Sequence, residues 1–151
     1  MAIRKQEFYE GAALHLLARS NRVTAVKYDP PFFIINDQIS VCLKYSTKGR
    51  SPWGFTFTPD EQRLLRSRAK NSKLIIGLIC GSDGVAAITF DDYRGIAGRR
   101  RSSIHIACYR KHGKHYGVFG PNGELNRKIA PSVWQRILER KELNESPRSG
   151  H

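Results

Sequence analysis

Two oppositely charged residues mark the ends of an apolar stretch near the start of the sequence. Asp29 opens the stretch, and Lys44 closes it with hydrophobic residues on either side. Side chains alternate between the two faces of a β-strand, so Cys42 and Lys44 share one face. A hairpin brings Lys44 beside Asp29, where the two groups can form either a plain salt bridge or the charged part of a hydrolytic site.

A second acid, Glu10, lies in a segment whose apolar residues recur with a helical period. Residues 5–19 therefore predict an amphipathic helix. Its predicted apolar face consists of Tyr9, Ala12, Ala13, Leu16 and Leu17. A carboxylate beside an apolar face is costly unless another group pairs with it, so Glu10 requires a partner.

The elements that must position these residues follow an α/β order. Strand-like segments rich in β-branched and aromatic residues come after the first helix, at 22–28, 32–36, 39–45 and 54–57. Thr58 as N-cap, Pro59 at the first helical position and Glu61 as the capping-box residue then predict a second helix. Asn36 and Asp37 predict a hairpin turn, and Asp60 and Glu61 suit the positive end of the helix dipole.

The second half of the sequence predicts further strands. Residues 73–80 form a continuous apolar run, which is typical of a strand buried on both faces. A strand at 85–90, a hairpin joining 103–110 to 115–120, and a final helix from about Ser132 follow. The predicted fold class is α/β: a core of helix, three strands, helix and strand, with an added C-terminal hairpin and helix.

The order Asp29, twelve residues, Cys42, Leu43, Lys44 resembles the Asp, spacer, Glu-x-Lys signature of the PD-(D/E)xK nucleases. In spacing it is most similar to the archaeal Holliday-junction resolvases. Those families also carry a glutamate in a helix before the strands, which Glu10 matches. The resemblance covers residues 5–90 and implies a restriction-endonuclease-like core.

The resemblance also implies roles for the three charged residues. Hydrolysis of a phosphodiester needs charge stabilisation at the phosphate and an activated water, usually supplied by Mg²⁺ held through one or two carboxylates. In the scheme of the family, Asp29 and Glu10 ligate Mg²⁺ or Mn²⁺, and Lys44 positions or helps to deprotonate the water. The predicted catalytic residues are therefore Asp29, Lys44 and Glu10, and the predicted metal ligands are Asp29 and Glu10.

The sequence departs from the family pattern at Cys42, which stands where the second metal-binding Glu is expected. A neutral thiol is a poor ligand for a hard cation. Two explanations stay open. Either Glu10 compensates and the site binds metal more weakly, or the site is inactive and the fold survives as a DNA-binding scaffold.

The charge of the chain favours a polyanionic partner. The 151 residues contain 26 Lys and Arg against 13 Asp and Glu, for a net charge of +13, and such a balance attracts nucleic acid over long range. Trp53 has two interpretations, a stacking side chain or a core anchor before a strand. The predicted nucleic-acid contacts are Lys48, Arg50, Trp53, Arg63, Arg66, Arg99, Arg100, Arg101, Arg110, Lys111 and Lys114.

The remaining features predict a single domain over residues 1–140 and a flexible tail over 141–151. The N-terminal segment lacks the apolar stretch of a signal peptide, and no run is long enough to span a membrane, so we expect a cytoplasmic, reducing compartment. Three cysteines stand singly in strand-like runs and are interpreted as reduced core thiols.

The sequence thus predicts a DNA-binding, Mg²⁺- or Mn²⁺-dependent endonuclease acting on branched or structured DNA. The resemblance implies a homodimer. The alternative is a catalytically inactive module of the same fold that binds DNA or RNA, as a subunit of a larger complex. A third interpretation, an RNA-associated structural protein, fits the charge but gives no reason for Glu10, Asp29 and Lys44.

Overall fold

A computed structural model describes residues 2–139. The predicted tail over 141–151 lies outside the described residues. The helices are α1 (Lys5–Ala18), α2 (Pro59–Asn71), α3 (Phe90–Ala97) and a 3-10 helix (Pro131–Arg136). The strands are β1 (Val26–Asp29), β2 (Phe32–Ile35), β3 (Ile39–Ser46), β4 (Trp53–Phe57), β5 (Lys73–Cys80), β6 (Gly84–Thr89), β7 (Ile104–Tyr109), β8 (Gly117–Gly120) and β9 (Gly123–Glu124).

The first sheet has five strands in the order β1-β2-β3-β5-β6. Antiparallel hairpins join β1 to β2, β2 to β3 and β5 to β6, whereas β3 and β5 run parallel. A parallel pair needs a long crossover, which here contains α2. The protein is therefore mixed α/β, as the sequence predicts.

The second sheet has four strands in the order β4-β7-β8-β9. The predicted hairpin across residues 111–114 is confirmed, because β7 and β8 pair antiparallel on either side of that turn. β4 pairs with β7 rather than extending the first sheet. The strand predicted at 54–57 therefore belongs to the second sheet.

Local sequence accounts for the first hairpin turn and for the start of α2. Asn36 and Asp37 adopt positive φ angles of 54° and 55°, and Asn and Asp are the residues that tolerate this region best after glycine. At the start of α2, the Thr58 hydroxyl accepts a hydrogen bond from the Glu61 amide, and the Glu61 carboxylate accepts one from the Thr58 amide. The predicted capping box is therefore confirmed.

Three local predictions differ from the structure. α3 was not expected, although Thr89 and Asp92 form a capping box at its start. The final helix is a short 3-10 helix. Its Trp134 is buried and donates a hydrogen bond to the carbonyl of Ala13, which holds the helix against α1. On α1, Ala13 and Leu17 are buried but Ala12 is exposed, because the helix contacts the sheet along a narrower stripe than predicted.

Two clusters of buried side chains lie on opposite sides of the first sheet. One fills the space between the two sheets, and the other lies under α1 and the 3-10 helix. β5 contributes to both, with Ile76 in the first cluster and Ile75 in the second, so its predicted burial on two faces is confirmed. The three cysteines are buried and unpaired, as expected.

Among residues 2–139, no helix combines the length and the apolar character needed to cross a membrane.

Candidate functional site

A cavity of about 460 Å³ opens where β3 extends past its neighbour in the sheet. β2 pairs with β3 only as far as Cys42, so the rest of β3 has β5 on one side and no strand of residues 2–139 on the other. The walls come from α1, the start of β2 with the turn before it, β3, β4 and the first turns of α2. Three charged side chains line it: Glu10, Lys44 and Glu61.

Lys44 is held in this cavity by Glu61. Its Nζ donates a hydrogen bond of 2.8 Å to Glu61 Oε2 and lies 5.0 Å from the centre of the Phe57 ring. The Lys44 side chain is only 20% exposed. Lys44 and Cys42 lie on the same face of β3, as strand alternation predicts, while Leu43 packs on the other side of the sheet.

The capping box of α2 positions Glu61 for this contact. One carboxylate oxygen accepts from the Thr58 backbone at 2.8 Å, and the other accepts from Lys44. Burial alone would raise the pKa of Glu61, but the hydrogen bonds from Lys44 and Thr58 outweigh burial and hold it below its ordinary value. Glu61 is therefore an ionised partner of Lys44 at neutral pH.

Glu10 lies on the α1 wall of the same cavity and is half-buried. It accepts a hydrogen bond of 2.9 Å from the Gln6 amide, one helical turn earlier. The structure thus brings two of the three predicted catalytic residues, Glu10 and Lys44, to one cavity.

Asp29 does not line that cavity, which corrects the expectation that it faces Lys44. It ends β1, and a two-residue turn separates it from β2. Its carboxylate accepts a hydrogen bond of 2.5 Å from Arg68, whose guanidinium lies 4.5 Å from the centre of the Phe32 ring. Asp29 therefore forms a plain salt bridge, but with Arg68 of α2 and not with Lys44.

Cys42 contacts the cavity from a buried position, with 8% of its surface exposed. Burial raises the pKa of the thiol to about 12. Cys42 is therefore protonated at neutral pH, and a neutral thiol does not replace the missing carboxylate.

The predicted metal site is not assembled by these residues. Within residues 2–139, no group of three or more His, Cys, Asp or Glu side chains is arranged to hold a metal ion. Asp29 is bound to Arg68 outside the cavity, whereas Glu10 lies in the cavity and accepts a hydrogen bond from Gln6. The donor set therefore does not fit the Mg²⁺ site that the family resemblance implies.

Trp53 is a core anchor and not a stacking residue, so its assignment as a nucleic-acid contact is wrong. Only 2% of its surface is exposed, and its ring meets the edge of Tyr116. Its Nε1 donates a hydrogen bond of 3.0 Å to the carbonyl of Lys48, which fixes the loop after β3. Trp53, the first residue of β4, packs inward because its face of the strand points into the space between the two sheets.

Two of the predicted basic contacts are occupied in ion pairs. Arg110 donates to Asp83 at 2.8 Å and lies over the Tyr116 ring. Burial alone would raise the pKa of Asp83, but hydrogen bonds from Tyr116 and Arg110 hold it below its ordinary value. Arg63 pairs with Asp60 in the first turns of α2.

The other predicted basic contacts are exposed, and no acidic side chain of residues 2–139 pairs with them. They are Lys48, Arg50, Arg66, Arg99, Arg100, Arg101, Lys111 and Lys114. The loop that carries Lys48 and Arg50 contacts the hairpin turn that follows β7, because Ser51 donates to the carbonyl of Arg110 at 3.3 Å.

Sequence reasoning placed Glu61 only at a helix start and missed its contact with Lys44. The capping box gave the position of Glu61 in α2 but not the side chain of β3 that it would meet. That contact depends on how α2 crosses the sheet. No local sequence signal reports the crossing.

No protein-family model matches this chain, and neither the curated proteins nor the solved structures provide a match.

Proposed function

We propose that this chain is a nucleic-acid-binding protein built on a restriction-endonuclease-like core, and that it binds DNA without cutting it. The elements of the first sheet and its helices support this core. α1 is followed by the antiparallel strands β1, β2 and β3, and β5, which comes after α2, runs parallel to β3. A lysine on the third strand and a glutamate on α1 share one cavity, in agreement with the family pattern.

The observation that carries the binding assignment is the set of eight exposed basic side chains named above. Each has no acidic partner within residues 2–139. When unpaired Lys and Arg side chains neutralise phosphates, they release the counterions that are condensed on the nucleic acid. A chain with a net charge of +13 also draws DNA toward itself from a distance.

The state of three residues argues against the family's chemistry at the predicted site. Asp29 is bound to Arg68, Cys42 is a protonated thiol, and Lys44 is bound to Glu61. A lysine that is neutralised by a carboxylate at 2.8 Å stabilises α2 against β3 and is not free to act on a water molecule.

One observation favours metal-dependent endonuclease activity as the second candidate. Glu10 and Glu61 both line the cavity of Lys44, so two carboxylates flank the lysine even though neither is Asp29. In this alternative, Glu61 performs the role that the family assigns to the residue at position 42.

A cleavage assay on three substrates separates the two candidates. The purified chain is incubated with supercoiled plasmid, single-stranded DNA and a four-way junction, in Mg²⁺, Mn²⁺ or EDTA. We expect DNA retention in a gel without cutting under every condition. Cutting that requires the metal and is lost in Lys44→Ala and Glu61→Gln, but not in Asp60→Asn, would establish the endonuclease instead.

A further inference from the structure

The second sheet has one face packed into the core and one open face. Along β7, Ile104, Ile106 and Cys108 are buried, whereas His105 is exposed and Tyr109 is half-buried. Strand register places Gly54, Ala107, Phe119 and Glu124 side by side in one row across the open face. This face belongs to none of the family-like elements of the first sheet.

Two aromatic rings form a platform on the open face. The ring centroids of Tyr109 and Phe119 are 5.9 Å apart and the rings are tilted by 55°. Phe119 is the exposed ring of the pair, at 38%, whereas Lys128 Nζ lies over the Tyr109 ring, 4.5 Å from its centre. Gly117 permits this arrangement, since a Cβ atom there would lie 2.4 Å from the Tyr109 ring. The Tyr109 hydroxyl donates to Glu124 at 2.5 Å and accepts from Lys128, so the ring orientation is fixed before any ligand binds.

Basic depressions lie on both sides of this platform. Beside Tyr109 is a cavity of about 530 Å³ whose lining includes Lys111, Lys114 and Lys128. Beside Phe119 is a cavity of about 470 Å³ whose lining includes Arg100. The acid of the row, Glu124, is neutralised by Lys128 at 3.0 Å.

The loop that carries two of these lysines is held in place. The Lys114 amide donates to the Lys111 carbonyl at 2.9 Å, and Arg110 Nε donates to the Lys114 carbonyl at 2.6 Å. Arg110 is in turn fixed by Asp83. Lys111 and Lys114 are therefore presented by an ordered turn, and no acid within the described residues pairs with either.

Charge and shape together favour a single strand as the occupant of this face. Exposed aromatic rings on a sheet face bind unstacked bases, and flanking cations bind the phosphates between them. The bases of a duplex are already stacked and paired, so they cannot lie on such a platform. The unpaired lysines on this face would be costly to bury against an apolar protein partner.

We propose that the open face of the second sheet binds single-stranded DNA, with a base stacked on Phe119 and phosphates bound by Lys111, Lys114 and Arg100. The inference rests on the proposed DNA-binding function and names its substrate class. The open face and the cavity of Lys44 share β4, because Gly54 and Thr56 line that cavity and pair with Ala107 and His105 of β7.

The test compares two exposed phenylalanines. Anisotropy of a fluorescent single-stranded DNA of about 15 nucleotides is titrated with the full chain, Phe119→Ala and Phe8→Ala. Phe8 lies on α1 and is 63% exposed, so it is a matched control away from the platform. We expect Phe119→Ala to weaken binding about tenfold or more, Phe119→Tyr to restore it, and Phe8→Ala to leave it unchanged.

A second variant tests the phosphate contacts. Replacement of both lysines of the loop, Lys111→Gln with Lys114→Gln, removes two cations. We expect the slope of log affinity against log salt to become shallower by about 1.4 for a single strand, which is about 0.7 for each lost phosphate contact.

Several outcomes would overturn the inference. Equal losses in Phe119→Ala and Phe8→Ala, or binding of a duplex in preference to the single strand, would remove the platform and leave the proposed function standing. Binding of neither DNA would end both proposals. Binding of an RNA strand of the same sequence but not of the DNA, or a dimer that Phe119→Ala dissociates, would assign this face to a different occupant.

Discussion

At the scale of single residues, the Lys44–Glu61 pair accounts for the lysine at the end of the first apolar stretch. The two side chains join β3 to α2 at 2.8 Å, beneath the Phe57 ring. Because the Glu61 carboxylate also closes the capping box, a single acid secures both the start of α2 and its contact with the sheet.

The pH dependence of folding should report this pair. The pKa of Glu61 is lower in the folded chain than its ordinary value, despite burial, because Lys44 and Thr58 donate to its carboxylate. A carboxyl whose pKa is lower in the folded chain than in the unfolded chain stabilises the fold at pH values above its unfolded-state pKa. This contribution is lost as the pH falls through its folded-state pKa. We expect Glu61→Gln to lower the free energy of unfolding by about 1 kcal/mol at pH 7, allowing for solvent screening.

The difference between wild type and Glu61→Gln should shrink below about pH 4.3, where the unfolded carboxyl becomes protonated. Urea unfolding at neutral and acidic pH measures it. Asp60→Asn is the matched control, since Asp60 lies in the same turn but is 80% exposed. A difference that is constant with pH would contradict the ionised pair.

The burial of Trp53 leads to opposite expectations for stability and for binding. Trp53→Phe removes the hydrogen bond to the Lys48 carbonyl and part of a packed ring. We expect the free energy of unfolding to fall by about 1 to 3 kcal/mol. DNA affinity, measured by anisotropy under conditions where the variant is folded, should stay within about twofold of wild type. A large loss of affinity in folded protein would instead indicate that binding requires the indole or the Lys48 loop that it holds.

At the scale of elements, the loop after β3 is joined to the turn after β5. The Gly81 amide donates to the Ser46 carbonyl at 2.9 Å. Gly81 has a φ of +56°, and a Cβ atom on it would lie 2.2 Å from the Lys48 carbonyl oxygen. Glycine is required here both for the backbone conformation and for the close approach of the two loops.

A pair of glycine variants separates these two requirements. Gly113 has a similar φ of +74°, but a Cβ atom there would meet nothing within 4 Å. We expect Gly113→Ala to cost about 1 kcal/mol, from the left-handed backbone alone. Gly81→Ala should cost about 3 kcal/mol, because the Lys48 loop must also move. If urea unfolding gives the same loss of unfolding free energy for both variants, the close approach of Gly81 to the Lys48 loop is contradicted.

The elements that the sequence predicted are those with local signals. The capping box at Thr58 and Glu61, the Asn36–Asp37 turn and the continuous apolar run of β5 each lie within a few residues, and all were correctly predicted. α3 was missed because its first residue, Phe90, continues the apolar run of β6 and hides the capping box behind it.

The candidate site was predicted less completely than the fold because its contacts join distant segments. Asp29 was assigned to Lys44 on the assumption of one continuous hairpin. The turn at residues 30–31 instead makes Asp29 the end of a separate strand, beside Arg68 of α2. The open face of the second sheet was not foreseen, since it depends on β4 leaving the first sheet to pair with β7.

At the scale of the whole molecule, the proposed binding of nucleic acid depends most on the net charge of +13. Several acids are used within the fold: Asp29, Glu61, Asp83 and Asp92 each bind a basic side chain. The basic residues are in twofold excess over the acids, at 26 against 13, so many remain available to a partner. The homodimer that the family resemblance implies stays a prediction, for which sedimentation of the full chain is the measurement.

The salt dependence of DNA binding by the full chain in EDTA decides whether this protein binds nucleic acid through its unpaired cations. Affinity for a short single strand and a short duplex is measured between about 50 and 200 mM salt. If four to six of the unpaired cations contact phosphates, log affinity for the single strand should fall against log salt with a slope of about −3 to −4. A flat response, or no binding at the lowest salt, would contradict a nucleic-acid-binding function.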